Sequence, residues 1–90
     1  MTYSYDEQKA YTFTDEGQRK LLNVRDCARD LCTKAGAVRG GVLLNLAGGG
    51  DSWQSMALVD RLVEIGDLRE FEPKNYRAWQ DRIFVWRDQR

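Results

Sequence analysis

The segment 51–86 limits the possible folds of this chain most, because it joins a capped helical pattern to two strand-like runs. Asp51 or Ser52 can cap the first turn of a helix, and Gly66 supplies a residue at which the helix can end. Two runs rich in β-forming residues follow, at 68–72 and 82–86. The segment therefore predicts a helix followed by a two-stranded hairpin, with a long polar loop between the strands.

The predicted helix separates apolar from polar side chains. At about 100° per residue, one face collects the large aliphatic residues. This face holds Leu58, Leu62 and Ile65, flanked by Met56, Val59 and Val63. The opposite face holds Trp53, Gln54, Ala57, Asp60, Arg61 and Glu64. We expect the first face to lie against the core and the second to be available to a partner.

A longer helix is predicted earlier in the chain, beginning near Thr14 or Asp15 and ending at Gly36. Either residue can accept from free N–H groups of the first turn, and Asp15 with Gln18 forms a variant of the capping box. Apolar residues recur at helical spacing and predict one buried face. They are Leu21, Val24, Ala28, Leu31 and Ala35.

Between these helices, the spacing of Val38, Val42, Leu43 and Leu46 predicts a second, short helix. The adjacent glycines at 40 and 41 oppose it, since each costs about 1 kcal/mol in a helix relative to alanine. A strand over 41–47 is the competing interpretation. We favour the helix because the glycine run at 48–50 makes a turn directly into the next helix.

The N-terminal residues 1–9 are polar and predict a loosely held, flexible arm. Residues 10–14 alternate weakly and predict a short strand that could join the hairpin. The rest of the chain, 10–90, then forms a single domain, as expected for 90 residues.

Composition indicates a folded, soluble domain, with 42% hydrophobic and 31% charged residues and a formal net charge of zero. No apolar run approaches the roughly 20 residues needed to cross a bilayer. The N-terminus lacks a basic start followed by an apolar stretch, so no secretory signal is expected. Cys27 and Cys32 point apart on one predicted helix, and we expect reduced thiols and a cytoplasmic location.

The predicted order of strand, three helices and hairpin resembles the winged helix-turn-helix family. The matching phrase is ALVDRLVEIGDLREF at 57–71, similar to a recognition helix, a glycine stop and a first wing strand; RIFVWR at 82–87 fits the second strand. The resemblance covers 10–87 and consists of residue types. It implies a small α+β domain with three helices and a C-terminal β-hairpin wing, used to bind DNA or protein.

Catalytic and metal-binding chemistry is not expected. The sequence contains no histidine, and two cysteines without histidine make no plausible zinc site. The glycines at 48–50 open a helix as a phosphate loop does, but the lysine and Ser/Thr of that motif are missing, and Asp51 would repel a phosphate. We therefore expect no enzyme activity, no cofactor and no small-molecule site.

A partner surface is predicted on the polar face of the third helix and in the wing loop. Its residues are Trp53, Gln54, Asp60, Arg61, Glu64, Lys74, Tyr76, Arg77 and Trp79. Tryptophan and arginine are favoured in protein interfaces, so recognition of a protein, or self-association, is the first hypothesis. Packing of Trp53 and Trp79 against their own domain remains open.

A DNA-binding transcriptional regulator is the alternative. Lys74, Arg77 and Arg82 would let the wing contact phosphates. The third helix fits DNA poorly, because Asp60 and Glu64 would repel the phosphate backbone.

Overall fold

The computed structural model describes residues 2–46, 52–71 and 78–87. Its α-helices are α1 (Tyr5–Gln8), α2 (Asp15–Ala35), α3 (Gly40–Leu46) and α4 (Ser52–Glu64). Its strands are β1 (Val38–Arg39), β2 (Leu68–Phe71) and β3 (Ile83–Trp86), and two 3₁₀ helices span Lys9–Phe13 and Trp79–Asp81. The described chain is thus an α+β domain, with four α-helices where three were predicted.

The three strands form one antiparallel sheet in the order β1-β3-β2. Leu68 pairs with Trp86 and Phe71 with Ile83, which confirms the predicted hairpin. On the other side of β3, Val38 pairs with Phe84. Phe84 is fully buried beneath the sheet, so the central strand supplies the middle of the core.

The start and end of α2 agree with the sequence. Thr14 is its N-cap, and the hydroxyl oxygen Oγ1 accepts from the Gly17 amide at 3.0 Å. Gly36 ends the helix with a φ of 86°, in the left-handed region that favours glycine. The predicted capping box is not formed, because the Gln18 side chain donates to the carbonyl oxygen of Thr12 instead.

The buried face of α2 is only partly as predicted. Leu21, Val24 and Ala28 are buried, but Leu31 is half-buried and Ala35 is exposed. The sulfur of Cys32 takes the last core position and lies 3.8 Å from the carbonyl oxygen of Phe84. Burial raises the pKa of the Cys32 thiol. At its C-terminal end α2 packs against β3, and Cys32 is the residue of α2 that faces this strand.

The predicted strand over 10–14 is wrong, since the chain forms a 3₁₀ helix over Lys9–Phe13. Local hydrogen bonds occupy the backbone groups that a strand would need. The Thr12 hydroxyl donates to the carbonyl oxygen of Lys9 at 2.7 Å, and the Thr14 amide donates to that of Tyr11 at 3.1 Å. The strand that joins the hairpin is β1 instead.

The short helix predicted in the middle of the chain is confirmed as α3, which begins at Gly40 directly after β1. A Cβ atom on Gly40 would lie 2.9 Å from both the ring and the carbonyl oxygen of Trp79. The Gly40 amide also donates to the carbonyl oxygen of Arg82 at 2.7 Å. The glycine therefore permits a close approach between α3 and the segment that leads into β3.

Helix α4 is confirmed, and Gly66 follows it with a φ of 92°. Leu58, Val59 and Leu62 are buried as predicted. Ile65 is 44% exposed, because the helix ends at Glu64 and turns this residue away from the core. Ala57, predicted on the polar face, is fully buried. Other helices and β2 pack around α4, so more than one of its faces is covered.

Candidate functional site

The polar face of α4, here Asp60, Arg61 and Glu64, is partly covered by the N-terminal residues of the chain, which leave the side chain of Asp60 14% and that of Glu64 38% exposed. The Tyr3 hydroxyl donates to Oδ2 of Asp60 at 2.6 Å. The Tyr5 hydroxyl donates to Oε1 of Glu64 at 2.7 Å. Residues expected to form a free arm thus include the helix α1 and contact the surface that the sequence assigned to a partner.

Two further contacts extend this cover to the 3₁₀ helix Lys9–Phe13. The ammonium of Lys9 donates to Oε2 of Glu64 at 2.8 Å. The guanidinium of Arg61 lies 5.0 Å from the ring centroid of Phe13, within the range of a cation–π contact. Arg61 also donates to Oε1 of Glu64 at 2.7 Å. The charges of this face are therefore neutralised within the chain.

Glu64 accepts from three donors, and this changes its acidity. Hydrogen bonds from Lys9, Tyr5 and Arg61 lower the pKa of the Glu64 carboxyl from 4.5 to about 2. Burial and the hydrogen bond to Glu64 raise the pKa of the Tyr5 hydroxyl. Burial and the hydrogen bond to Asp60 likewise raise the pKa of Tyr3. Both tyrosines are thus held in the neutral, donating form.

We expect Glu64 to titrate near pH 2 in the folded protein, followed by carboxyl-carbon NMR shifts. Because its pKa is lowered on folding, its stabilising contribution is present above pH 4.5 and is lost as the pH falls through about 2. Lys9→Ala should raise the pKa of Glu64 toward the ordinary value. A Glu64 carboxyl that titrates near 4.5 in the wild-type protein would contradict the three-donor arrangement.

Asp60 also belongs to a second, more buried cluster around Arg82. Nη1 of Arg82 lies 2.9 Å from Oδ1 of Asp60, and Nη2 and Nε donate to the two oxygens of Glu70 at 2.6 and 3.0 Å. Burial alone would lower the pKa of Arg82, but the hydrogen bond to Glu70 and the charge of Asp60 raise it. The cluster ties α4 to β2 and to the residue that directly precedes β3.

Two aromatic rings lie beside the Arg82 guanidinium, which is 5.0 Å from the ring centroids of both Trp79 and Phe84. The Trp79 and Phe84 ring centroids are 6.2 Å apart. The Trp79 indole N–H is buried and has no acceptor in the part of the chain that is described. Trp79 thus packs back onto its own domain, which was the interpretation left open.

Five residues of the predicted partner surface remain, two near the start of α4 and three in the sequence between β2 and Trp79. Trp53 and Gln54 are half-buried near the start of α4. Lys74, Tyr76 and Arg77 lie outside the described residues. The structure therefore unites Asp60, Arg61 and Glu64 beneath the N-terminal segment and places Trp79 beside the Arg82 cluster.

A surface that the sequence reasoning missed lies on the outer side of the sheet. Arg39 pairs with Ile83, which pairs with Phe71, so these three residues form a row across β1, β3 and β2. Directly paired residues of antiparallel strands share a face. Phe71 is 56% and Ile83 37% exposed. Strand parity could have revealed this row, because Phe71 and Ile83 alternate with the buried Leu68 and Phe84.

Within the ranges described, no helix is long and apolar enough to cross a membrane. No protein-family model, curated protein or solved structure matches this chain.

Proposed function

We propose that this chain is a non-catalytic winged-helix recognition module that binds a protein partner. The order of α2, α3 and α4 before the β2–β3 hairpin supports this assignment. Strand β1 supplies the short strand beside the hairpin, between α2 and α3. Helix α1 is then an N-terminal addition to the three-helix pattern.

The outer sheet face, defined by Arg39, Phe71 and Ile83, carries the proposal. Two adjacent exposed apolar side chains beside an arginine have the composition favoured at protein interfaces, where aromatic residues and arginine are enriched. Covering such apolar surface removes it from water and lowers the free energy of the complex. Arg39 pairs with Asp81 at 2.9 Å, which leaves a mixed-charge rim beside the apolar pair.

The charges of α4 favour protein over DNA as the partner. A DNA-reading helix needs cations that can neutralise phosphates. Arg61 is engaged by Glu64, and Arg82 is buried between Asp60 and Glu70. The carboxylates of α4 would face a phosphate backbone with no surplus of positive charge.

Reduced cysteines support a cytoplasmic setting. Cys27 and Cys32 are both reduced thiols, and Cys32 is fully buried. Disulfides are rare in the cytoplasm, where thiols stay reduced.

The test is affinity capture from an extract of the source cells, with and without nuclease, using wild-type protein and Phe71→Asp. We expect a captured protein that survives nuclease and whose recovery falls at least about tenfold with Phe71→Asp, since a charge in an interface core costs that much or more. Leu22→Asp is the control, because Leu22 is another exposed apolar residue (47%, against 56% for Phe71) and lies on α2, not on a strand of the sheet. Sedimentation at several concentrations tests whether the partner is a second copy.

Binding to labelled duplex DNA at low salt is the contrary outcome. A steep fall in affinity with salt, together with weaker binding by Lys74→Ala and Arg77→Ala, would replace the protein proposal with the DNA-binding alternative.

A further inference from the structure

The N-terminal strap, defined here as residues 2–8, contacts α4 through exposed and half-buried polar groups. Helix α1 has four residues, none of them buried, and its N-cap Ser4 makes no side-chain capping bond. The tyrosine hydroxyls of the strap reach the polar face of α4 through hydrogen bonds to Asp60 and Glu64. Such a short helix is marginal by itself, so these contacts hold it in place.

Firm anchoring begins only after the strap. Thr12 is fully buried, and its carbonyl oxygen accepts from the Gln18 side chain at 2.6 Å. Gly17 packs directly against the backbone of Tyr11 and Thr12. The strap is therefore held by contacts at the surface, whereas the chain at residue 12 is anchored in the interior of the domain.

The polar face of α4 keeps its own partners when the strap is lifted. Asp60 remains paired with Arg82, and Glu64 remains paired with Arg61. Opening consequently leaves no buried charge alone, and the exposed hydrogen bonds that are lost return to water. Segments held in this way open with a free energy well below that of global unfolding.

We propose that the strap is a displaceable, autoinhibitory cover over the polar face of α4, which opens while the rest of the domain stays folded. Opening exposes the carboxylate edge of Asp60 and Glu64 to a partner segment that carries aromatic hydroxyl donors, the chemistry that Tyr3 and Tyr5 of the strap present. The strap contacts α4, whereas the outer sheet face lies on β1, β2 and β3. An experiment can therefore disprove the opening of the strap without disproving partner binding by the sheet, and the reverse.

Native-state hydrogen exchange on the full chain tests the opening. We expect α1, followed at the Gln8 amide that donates to the carbonyl oxygen of Ser4 at 3.1 Å, to exchange through a local opening, while the middle of α2 exchanges only with global unfolding. Tyr3→Phe with Tyr5→Phe should raise α1 exchange about tenfold and leave α2 unchanged, since it removes two hydrogen bonds to carboxylates. Tyr11→Phe is the matched control, because the Tyr11 hydroxyl is buried without a partner in the described chain.

Carbodiimide labelling of carboxylates tests the covering. The double tyrosine variant should increase the labelling rate of Glu64 relative to Glu16, which lies on α2 and serves as the internal reference. Exchange of α1 only together with α2 would overturn the proposal. Unchanged Glu64 labelling in a variant whose α1 exchanges faster would overturn it as well, because the strap would then open without covering this face.

Discussion

Replacement of Arg82 by alanine is expected to lower the free energy of unfolding by about 3–5 kcal/mol, the range seen when one partner of a buried ion pair is removed. The side chains of Asp60 and Glu70 are only 14% and 10% exposed, so both carboxylates would lose their shared cation in a poorly hydrated site. The rings of Trp79 and Phe84 would also lose their cation–π contacts with the guanidinium. Urea unfolding followed by tryptophan fluorescence and circular dichroism measures the change.

Lys34→Ala is the matched control for this prediction. Lys34 pairs with Asp30 on the surface of α2, where its side chain is 71% exposed. Its loss should cost less than about 1 kcal/mol, as for other surface ion pairs near a helix end. Equal effects of the two substitutions would show that the Arg82 cluster contributes no more than a surface pair.

Gly17→Ala is expected to destabilise the protein by about 2–3 kcal/mol, near the upper end of overpacking effects. Helix propensity alone predicts the opposite sign, a gain of up to about 1 kcal/mol. Packing wins here because a Cβ atom on Gly17 would lie 2.0 Å from the carbonyl oxygen of Tyr11, a backbone atom that no side-chain rotation can move. The 3₁₀ helix Lys9–Phe13 must therefore shift away from α2, and urea unfolding measures the cost.

Asn23→Ala provides the control on the same helix. Asn23 is exposed in the middle of α2, so the substitution should stabilise by a few tenths of a kcal/mol through propensity. A Gly17→Ala protein at least as stable as Asn23→Ala would contradict the close contact between α2 and the N-terminal backbone.

Local signals in the sequence were sufficient for the best-predicted elements. The cap at Thr14 and the glycines 36 and 66 act within one helical turn, so the limits of α2 and the end of α4 can be read directly. The hairpin follows in the same way from β-forming residues after a glycine stop. The 3₁₀ helix Lys9–Phe13 was missed because threonine hydroxyls and the Gln18 side chain compete with strand pairing there.

The cover on α4 could not be predicted from helical periodicity. A helical wheel identifies a polar face but not which distant groups reach it. The tyrosines that bind Asp60 and Glu64 are 57 and 59 residues away in the chain. Because the wheel does not show these tyrosines, it predicts a free partner surface. In the structure, the carboxylates of Asp60 and Glu64 accept hydrogen bonds from within the same chain.

The position of β3 in the sheet has a consequence for the order in which the chain can fold. β3 is the central strand, yet it follows β1 and β2 in the sequence. During synthesis, Val38 and Leu68 therefore leave the ribosome before their strand partners Phe84 and Trp86 exist. The sheet closes late, through non-local contacts that are slow to form, and a nascent chain must keep both orphan strands from pairing elsewhere until then.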